Sequence, residues 1–259
     1  MLISSSKMDW FPVYSPDGEK IAFCSDRTGH FEIYTCNSDG SESYQITSLN
    51  THSGVPRWSP SGEHIIFDSR PDGNSDIMIV DAEGKKRPEH LTKHPSDDRI
   101  PSWSADGQFI YFGSNRSGEY QIYKMSVNSK EVEQITSNGG VFGYESADGK
   151  NFYFRKYNET YGPIYQINLK NKQESVVIDE QIYSFSWVLK QAGIYFISSH
   201  EKDQPVLKFY RFFSDSIDQL GFFDDVVKLS DVSDVGKNIL LWSDVKSSFD
   251  IYLVDNFRL

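Results

Sequence analysis

Apolar residues in this chain fall in short continuous runs separated by polar turns. The clearest are Ile21-Ala22-Phe23, Ile65-Ile66-Phe67 and Phe109-Ile110-Tyr111-Phe112. Phe152-Tyr153-Phe154, Ile194-Tyr195-Phe196 and Ile239-Leu240-Leu241-Trp242 echo them further on. Strict alternation would mark a strand with one wet face, whereas a continuous run marks a strand in a sheet covered on both faces. Before each of the first three runs stands a short strand containing Pro and ending in an aromatic, Tyr14, Trp58 or Trp103. A turn follows each: SPDG at 15–18, SPSG at 59–62 and SADG at 104–107. Ser with Gly at the fourth place is tight-turn chemistry, because Gly accepts a positive φ. After each apolar run comes a loop with Ser-Asp-Arg (25–27), Ser-Arg (69–70) or Ser-Asn-Arg (114–116). A third strand and a short outer strand ending QIT (45–47), HLT (90–92) or QIT (134–136) complete the unit.

The third strand carries the sharpest marker. Ile33-Tyr34 recurs as Ile77-Met78, Ile122-Tyr123, Ile164-Tyr165, Phe209-Tyr210 and Ile251-Tyr252, at steps of 44, 45, 42, 45 and 42 residues. A period of this size with four short strands per unit is the signature of a propeller blade. The expected architecture is all-β: a six-bladed β-propeller of four-stranded blades, forming one domain over 1–259. The blades fall roughly at 6–49, 50–94, 95–138, 139–179, 180–222 and 223–259, the last together with 1–5. The sixth repeat stops after its third strand, near Asp255, while residues 1–5 read as an outer strand without a blade. The N-terminal strand is therefore expected to complete the last blade and remove the ring's open edge. Repeats four to six keep the buried strands but lose the Ser-Asx-Arg loop.

Composition narrows the function. Hydrophobic residues make up 38% of the chain and aromatics 15%, which suits stacked sheets whose wedges are filled by large flat side chains. The formal net charge of −11 argues against a nucleic-acid partner, whose phosphates need Lys and Arg. It also suits an anionic membrane poorly, and no apolar run is long enough to insert directly into a bilayer. The start MLISSSKMDW lacks a secretory pattern, so a complete chain would be cytoplasmic, and an excised or mature module periplasmic. Cys24 and Cys36 lie in consecutive strands, opposite roughly Ile33 and Ile21. Their sulfurs are then offset by about 10 Å, too far for a disulfide, and both are read as free buried thiols.

The sequence YSPDGEKIAF…SDR…EIY…SDG…QIT of repeat one, nearly matched in repeats two and three, resembles the TolB-like family of WD-repeat-like bacterial propellers. The ending Asp250-Ile251-Tyr252-Leu253-Val254-Asp255-Asn256-Phe257-Arg258 is similar to that of propeller modules joined behind winged-helix regulators or kinase-like sensors. The resemblance implies a sensing or protein- and peptide-binding module with no catalytic residues to carry over; the chain is further expected to be a monomer and to need no cofactor.

In this repeat, the loops before the first strand and after the second share one face of the disc, where the central channel is expected to open. The candidate partner-binding residues there are Asp9, His52, Arg57, Asp97, Asp98 and Arg99, with Arg27, Arg70 and Arg116 from the Ser-Asx-Arg loops. The competing structural reading is that these three arginines, recurring at one repeat position, pair with carbonyls or Asp residues of the neighbouring blade. The Asp-Gly pairs at 17–18, 39–40, 72–73, 106–107 and 148–149 lack the oxygen set of a calcium loop and are read as turns. His30, His52, His64, His90, His94 and His200 fall at different repeat positions, so no metal site is expected. No Gly-x-Ser-x-Gly elbow, Walker loop or dinucleotide fingerprint is present. Alternatives are a metal-dependent lyase or hydrolase acting on a carbohydrate, with Asp97, Asp98 and His52 as first suspects, or a small-ligand sensor using the channel. Segment 214–255 holds nine Asp against three Lys and is read as a solvated acidic side.

Overall fold

A computed structural model describes residues 2–3, 7–157, 159–198, 204–223, 227–233, 238–243 and 250–254. These residues form strands and turns, with no helix among them. The first sheet is β1 (Asp9–Tyr14), β2 (Lys20–Ser25), β3 (Glu32–Asn37) and β4 (Tyr44–Gln45). The second is β5 (Ser53–Trp58), β6 (His64–Ser69), β7 (Asp76–Asp81) and β8 (Glu89–His90). The third is β9 (Asp98–Trp103), β10 (Phe109–Ser117), β11 (Glu119–Ser126) and β12 (Val132–Gln134). In each, neighbours in sequence pair antiparallel.

A seven-stranded sheet follows: β13 (Phe142–Glu145), β14 (Asn151–Arg155), β15 (Tyr161–Asn168), β16 (Glu174–Lys190), β17 (Gly193–Ser198), β18 (Val206–Arg211) and β19 (Ser216–Phe222). Its joint is β16. The start of β16 is an outer strand on β15, with Val176 opposite Tyr165. Its end is an inner strand beside β17, with Trp187 opposite Phe196. Two four-stranded units thus share one strand. The last sheet is β20 (Val227–Val232), β21 (Ile239–Ser243) and β22 (Asp250–Val254). Ile3 bridges Ile251 antiparallel, and the Leu2 amide donates to the Ile251 carbonyl at 2.8 Å. The rest of the expected N-terminal strand, residues 1, 4 and 5, lies outside the described residues, as do His200 and the chain ending from residue 255.

The repeat motif has local physical causes. In the turns, Gly18, Gly62, Gly107 and Gly149 all have φ between 68° and 75°. The serine that opens each turn caps the next strand: Ser15 Oγ accepts from the Lys20 amide at 2.9 Å, and Ser104 Oγ from the Phe109 amide at 2.9 Å. The outer QIT threonine takes up the marker isoleucine's amide: Ile33 N donates to Thr47 Oγ1, Ile77 N to Thr92 Oγ1 and Ile122 N to Thr136 Oγ1, each at 2.9 Å. The marker tyrosine donates to the QIT glutamine, Tyr34 to Gln45 and Tyr123 to Gln134, both at 3.0 Å. Side chains thereby satisfy backbone groups that outer strands of two or three residues leave open.

Apolar clusters fill the wedges between successive sheets. Phe23, Ile21 and Tyr14 pack with Ile3, Leu240 and Ile251; Cys24 and Ile33 with Trp58, Ile65 and Phe67; Ile66 and Ile77 with Ile110 and Phe112; and Tyr111 and Ile122 with Phe152 and Phe154. Innermost strands follow one another around an axis: β1 meets β5, β5 meets β9, β9 meets β13, and β16 meets β20, which returns to β1. Phe142 of β13 and Trp187 of β16, 5.4 Å apart, link the remaining pair.

Candidate functional site

The Ser-Asx-Arg arginines of the first and third sheets turn inward. Arg27 Nη2 lies 3.1 Å from Asp9 Oδ2 and its Nε donates to Oδ1 at 3.2 Å. Arg116 Nη2 donates to both oxygens of Asp98 at 2.9 Å. Both carboxylates are fully buried. Each guanidinium also lies over two rings, Arg27 over Phe23 and Tyr34, Arg116 over Phe112 and Tyr123. This is a cross-strand clamp within one sheet, tying the loop after the second strand to the start of the first. These two arginines are structural, but the expected Asp of the neighbouring blade is corrected: each pairs with the Asp of its own sheet.

The second sheet departs from that plan. Ser53 stands where Asp9 and Asp98 stand elsewhere, and its hydroxyl pairs with Ser69 at 2.9 Å. Arg70 is exposed. Asp68 is buried, and its Oδ2 accepts from the Ile100 amide at 2.8 Å. Burial raises its carboxyl above the ordinary range, against the pull of Arg99, Arg70 and Arg57. Asp97 accepts from the Ser75 amide at 2.8 Å and from Tyr120 Oη at 3.4 Å. Asp98 is committed to Arg116 and Asp97 to the Ser75 amide, while the His52 ring lies 5.1 Å from the Phe31 ring. Among the described residues no group of three His, Cys, Asp or Glu side chains is placed to share a metal ion.

The channel differs from expectation in which face it opens on. Phe11, Val55 and Ile100 have φ of 52°, 51° and 53°, each just before Pro12, Pro56 or Pro101 and at a bulge in the first strand. Proline cannot donate to the ladder and is tolerated at such a bulge. The bulge places these three side chains in one apolar cluster with Val141, Phe142 and Phe185. Phe185 reaches Phe11 at 5.5 Å and Phe142 at 5.6 Å, so rings from distant sheets meet across the axis. This plug fills the channel toward the loop face.

On the opposite side, where the first strand turns into the second, the axis opens into a pit of about 900 Å³. The turns 15–18, 59–60, 104–105 and 146–148 form its rim. Arg57, placed on the loop face by sequence reasoning, lines this pit instead. It crosses the axis, donating from Nη2 to Tyr144 Oη at 3.4 Å, with its guanidinium 5.8 Å from the Tyr144 and Phe142 rings. Opposite it, Lys190 Nζ pairs with Asp231 Oδ1 at 3.1 Å, and Asp231 Oδ2 accepts from the Tyr14 amide at 3.0 Å. Burial holds the Tyr144 hydroxyl and the Glu145 carboxyl above their ordinary ranges. Tyr144, Glu145, Lys190 and Asp231 were not singled out from sequence. They stand at first-strand ends in the irregular repeats, where the only available signal was their offset from the turn.

Comparison with known proteins agrees with the fold. The family model described as the TolB beta propeller domain matches residues 41–211, more than half of the chain. No curated protein matches significantly. TolB from Acinetobacter baumannii has a TM-score of 0.70 at 22% identity, over 83% of this chain and 55% of that one, so the chain spans about half its length. A putative TolB from Agrobacterium tumefaciens has a TM-score of 0.69 at 18% identity, over 86% and 83% of the two chains. An oligogalacturonate lyase from Vibrio parahaemolyticus has a TM-score of 0.70 at 11% identity, over 98% and 78%. At these identities the structural likenesses establish the architecture alone. The family model rests on the repeat itself, whose turns, clamps and outer strands the geometry explains one by one, and the chain belongs to the TolB β-propeller family.

Proposed function

We propose that the chain is a six-bladed, non-catalytic propeller that binds a protein or peptide segment in its axial pit. The observation that carries this reading is the pit: a concavity of about 900 Å³, floored by aromatic rings and bordered by Arg57 and the Lys190–Asp231 pair. Ligand sites have volumes of this order, a mostly apolar lining and a few fixed polar groups. The exposed rim carboxylates are engaged in their own turns. Asp17 is held low by Ser15, and Asp148 is lowered to about 2 by Ser146 and Lys150. They serve turn geometry better than acid–base chemistry, which needs a group titrating near the working pH.

The six blades are the sheets described above, with β16 contributing to two of them and Leu2-Ile3 closing the sixth beside β22. Winged-helix or kinase-linked sensing would belong to a longer parent protein. Panning a random peptide library against the purified protein tests the binding reading: enriched peptides should lose binding to Arg57→Glu and Lys190→Glu variants. Peptides that bind these variants unchanged would sink it. A stoichiometric transition metal in elemental analysis would favour the lyase or hydrolase, and a thermal shift with sugars but not peptides the small-ligand sensor. Ile3→Asp should lower the melting temperature if the N-terminus closes the ring.

A further inference from the structure

The repeats provide an internal control. Arg27 and Arg116 are held by buried Asp9 and Asp98, while the second sheet has Ser53 in place of that Asp and leaves Arg70 exposed. Two further substitutions occur at the same boundary. The second residue of the first strand is Trp10 in β1 and Gly54 in β5, but Arg99 in β9. The residue near the end of the second strand is Cys24 in β2 and Gly113 in β10, but Asp68 in β6. Arg70 and Arg99 both act on Asp68 and on His52. The Arg70 amide donates to the His52 carbonyl at 3.2 Å, which fixes the two loops together. Arg99 is half-buried, with its Nε shielded and without a hydrogen-bond partner. Gly54 brings two of these groups together: a Cβ on this buried glycine would be in ordinary contact, at 3.8 Å, with both Asp68 Oδ1 and His52 Nε2. Tyr120, which hydrogen-bonds the Arg99 side chain, meets the exposed Tyr157 ring at 4.2 Å with the two planes tilted by 38°.

We propose that the loop face carries, between the second and third sheets, a binding site for a carboxylate presented by an acidic peptide segment. Arg70 and Arg99 grip the carboxylate, His52 borders it, and Tyr157 supplies a flat wall. Guanidinium forks match a carboxylate bidentately. The resident carboxylates Asp68 and Asp97 temper the positive potential of the two arginines, which suits a single negative charge better than a phosphate dianion. In a chain of net charge −11, an exposed Arg70 and a half-buried Arg99 flanking the same buried Asp68 are a local exception to the acidic surface. The site lies on the side of the plug away from the axial pit and stands whether or not the pit binds a peptide.

The test uses the full chain and follows the His52 ring by NMR during titration with acetylated, amidated tetraglutamate, with inorganic phosphate and tetralysine as comparisons. Tetraglutamate should shift the His52 signals saturably and raise the ring's titration midpoint, because the bound carboxylate offsets the arginine field. Arg70→Ala should weaken the response by about tenfold or more, the value of one lost charge-assisted fork. The exposed Arg87→Ala should leave it unchanged. Arg70→Glu, also on an exposed side chain, should abolish it while the circular dichroism spectrum of the folded chain is retained. An unsaturable shift, an equal response in Arg70→Ala, or tighter binding of phosphate than of tetraglutamate would overturn the assignment.

Discussion

Replacing Asp98 by Ala tests whether the loop arginines are structural clamps or a binding rim. The Asp98 side chain is fully buried and that of Arg116 is 18% exposed. Both carboxylate oxygens accept from Arg116 Nη2 at 2.9 Å, and the guanidinium lies 4.8 Å from the Tyr123 centroid. A hydrogen bond to a charged group contributes about 1.5–3 kcal/mol. Orphaning one partner of a fully buried pair costs about 3–5 kcal/mol. Water reaches part of Arg116, so Asp98→Ala should cost about 2–3 kcal/mol, between those limits. For a chain of this size that lowers the melting temperature by roughly 4–12 °C. Urea unfolding followed by tryptophan fluorescence measures the cost, and the cycle with Arg116→Ala isolates the pair. Its coupling energy should exceed about 1 kcal/mol. Asp9→Ala with Arg27→Ala should repeat the result, while Ser53→Ala, which lacks the arginine, should cost about 1 kcal/mol or less. A coupling energy near zero, or equal costs for Asp98→Ala and Ser53→Ala, would refute the clamp and return both arginines to the rim.

Three further outcomes are expected. Burial pushes the Cys36 thiol up to about 12 and the Cys24 thiol higher still, so a thiol reagent at neutral pH should label neither in the native chain and both after unfolding. Desolvation, Arg70 and Arg99 hold the His52 ring below its ordinary 6.5. The folded state then binds this proton less readily than the unfolded chain, so stability should fall as pH drops from 6.5 through the folded midpoint, and Arg70→Ala should raise that midpoint in an NMR titration. A Cβ on Gly113 would stand 2.7 Å from the Val141 carbonyl oxygen of the next sheet; Gly113→Ala should therefore cost about 1–3 kcal/mol by overpacking, read from urea midpoints at unchanged slope.

The fold was legible because its determinants are local and periodic. Turn glycines, the marker isoleucine and the QIT threonine each do one job within some fifteen residues, and the structure pairs Cys24 with Ile33 and Ile21 with Cys36 as the spacing implied. The channel was not legible for the opposite reason. Which face it opens on depends on where Phe11, Val55 and Ile100 point, and their positive φ follows from a bulge that a Val-Pro or Ile-Pro pair does not announce. Arg57 shows the same limit. Its position two residues after the bulged Val55 carries it past the plug, so a residue grouped with the loop face lines the far end of the axis.

The loss of the Ser-Asx-Arg loop from later repeats now has a partial physical cause. The loop after the second strand must be tied down, and the ring does this in two ways. In the first and third sheets an arginine three residues past Cys24 or Gly113 reaches back to an Asp at the start of the first strand. In β14 the arginine stands three positions earlier. Arg155 stands at the position of Cys24, Asp68 and Gly113, is fully buried, and donates forward to the carbonyls of Gly162, of Pro163 at 2.8 Å and of Glu159 at 3.2 Å. Burial holds its guanidinium below the ordinary arginine range, yet three carbonyls give it the acceptors a buried cation needs. Either solution removes a guanidinium from the loop face. The second sheet uses neither, having Ser53 for the Asp and Asp68 for the strand arginine, so Arg70 is left at the surface. The sheets that anchor their loops this way are thus chemically quiet on that face. A partner drawn by positive charge has reason to approach at the boundary of the second and third.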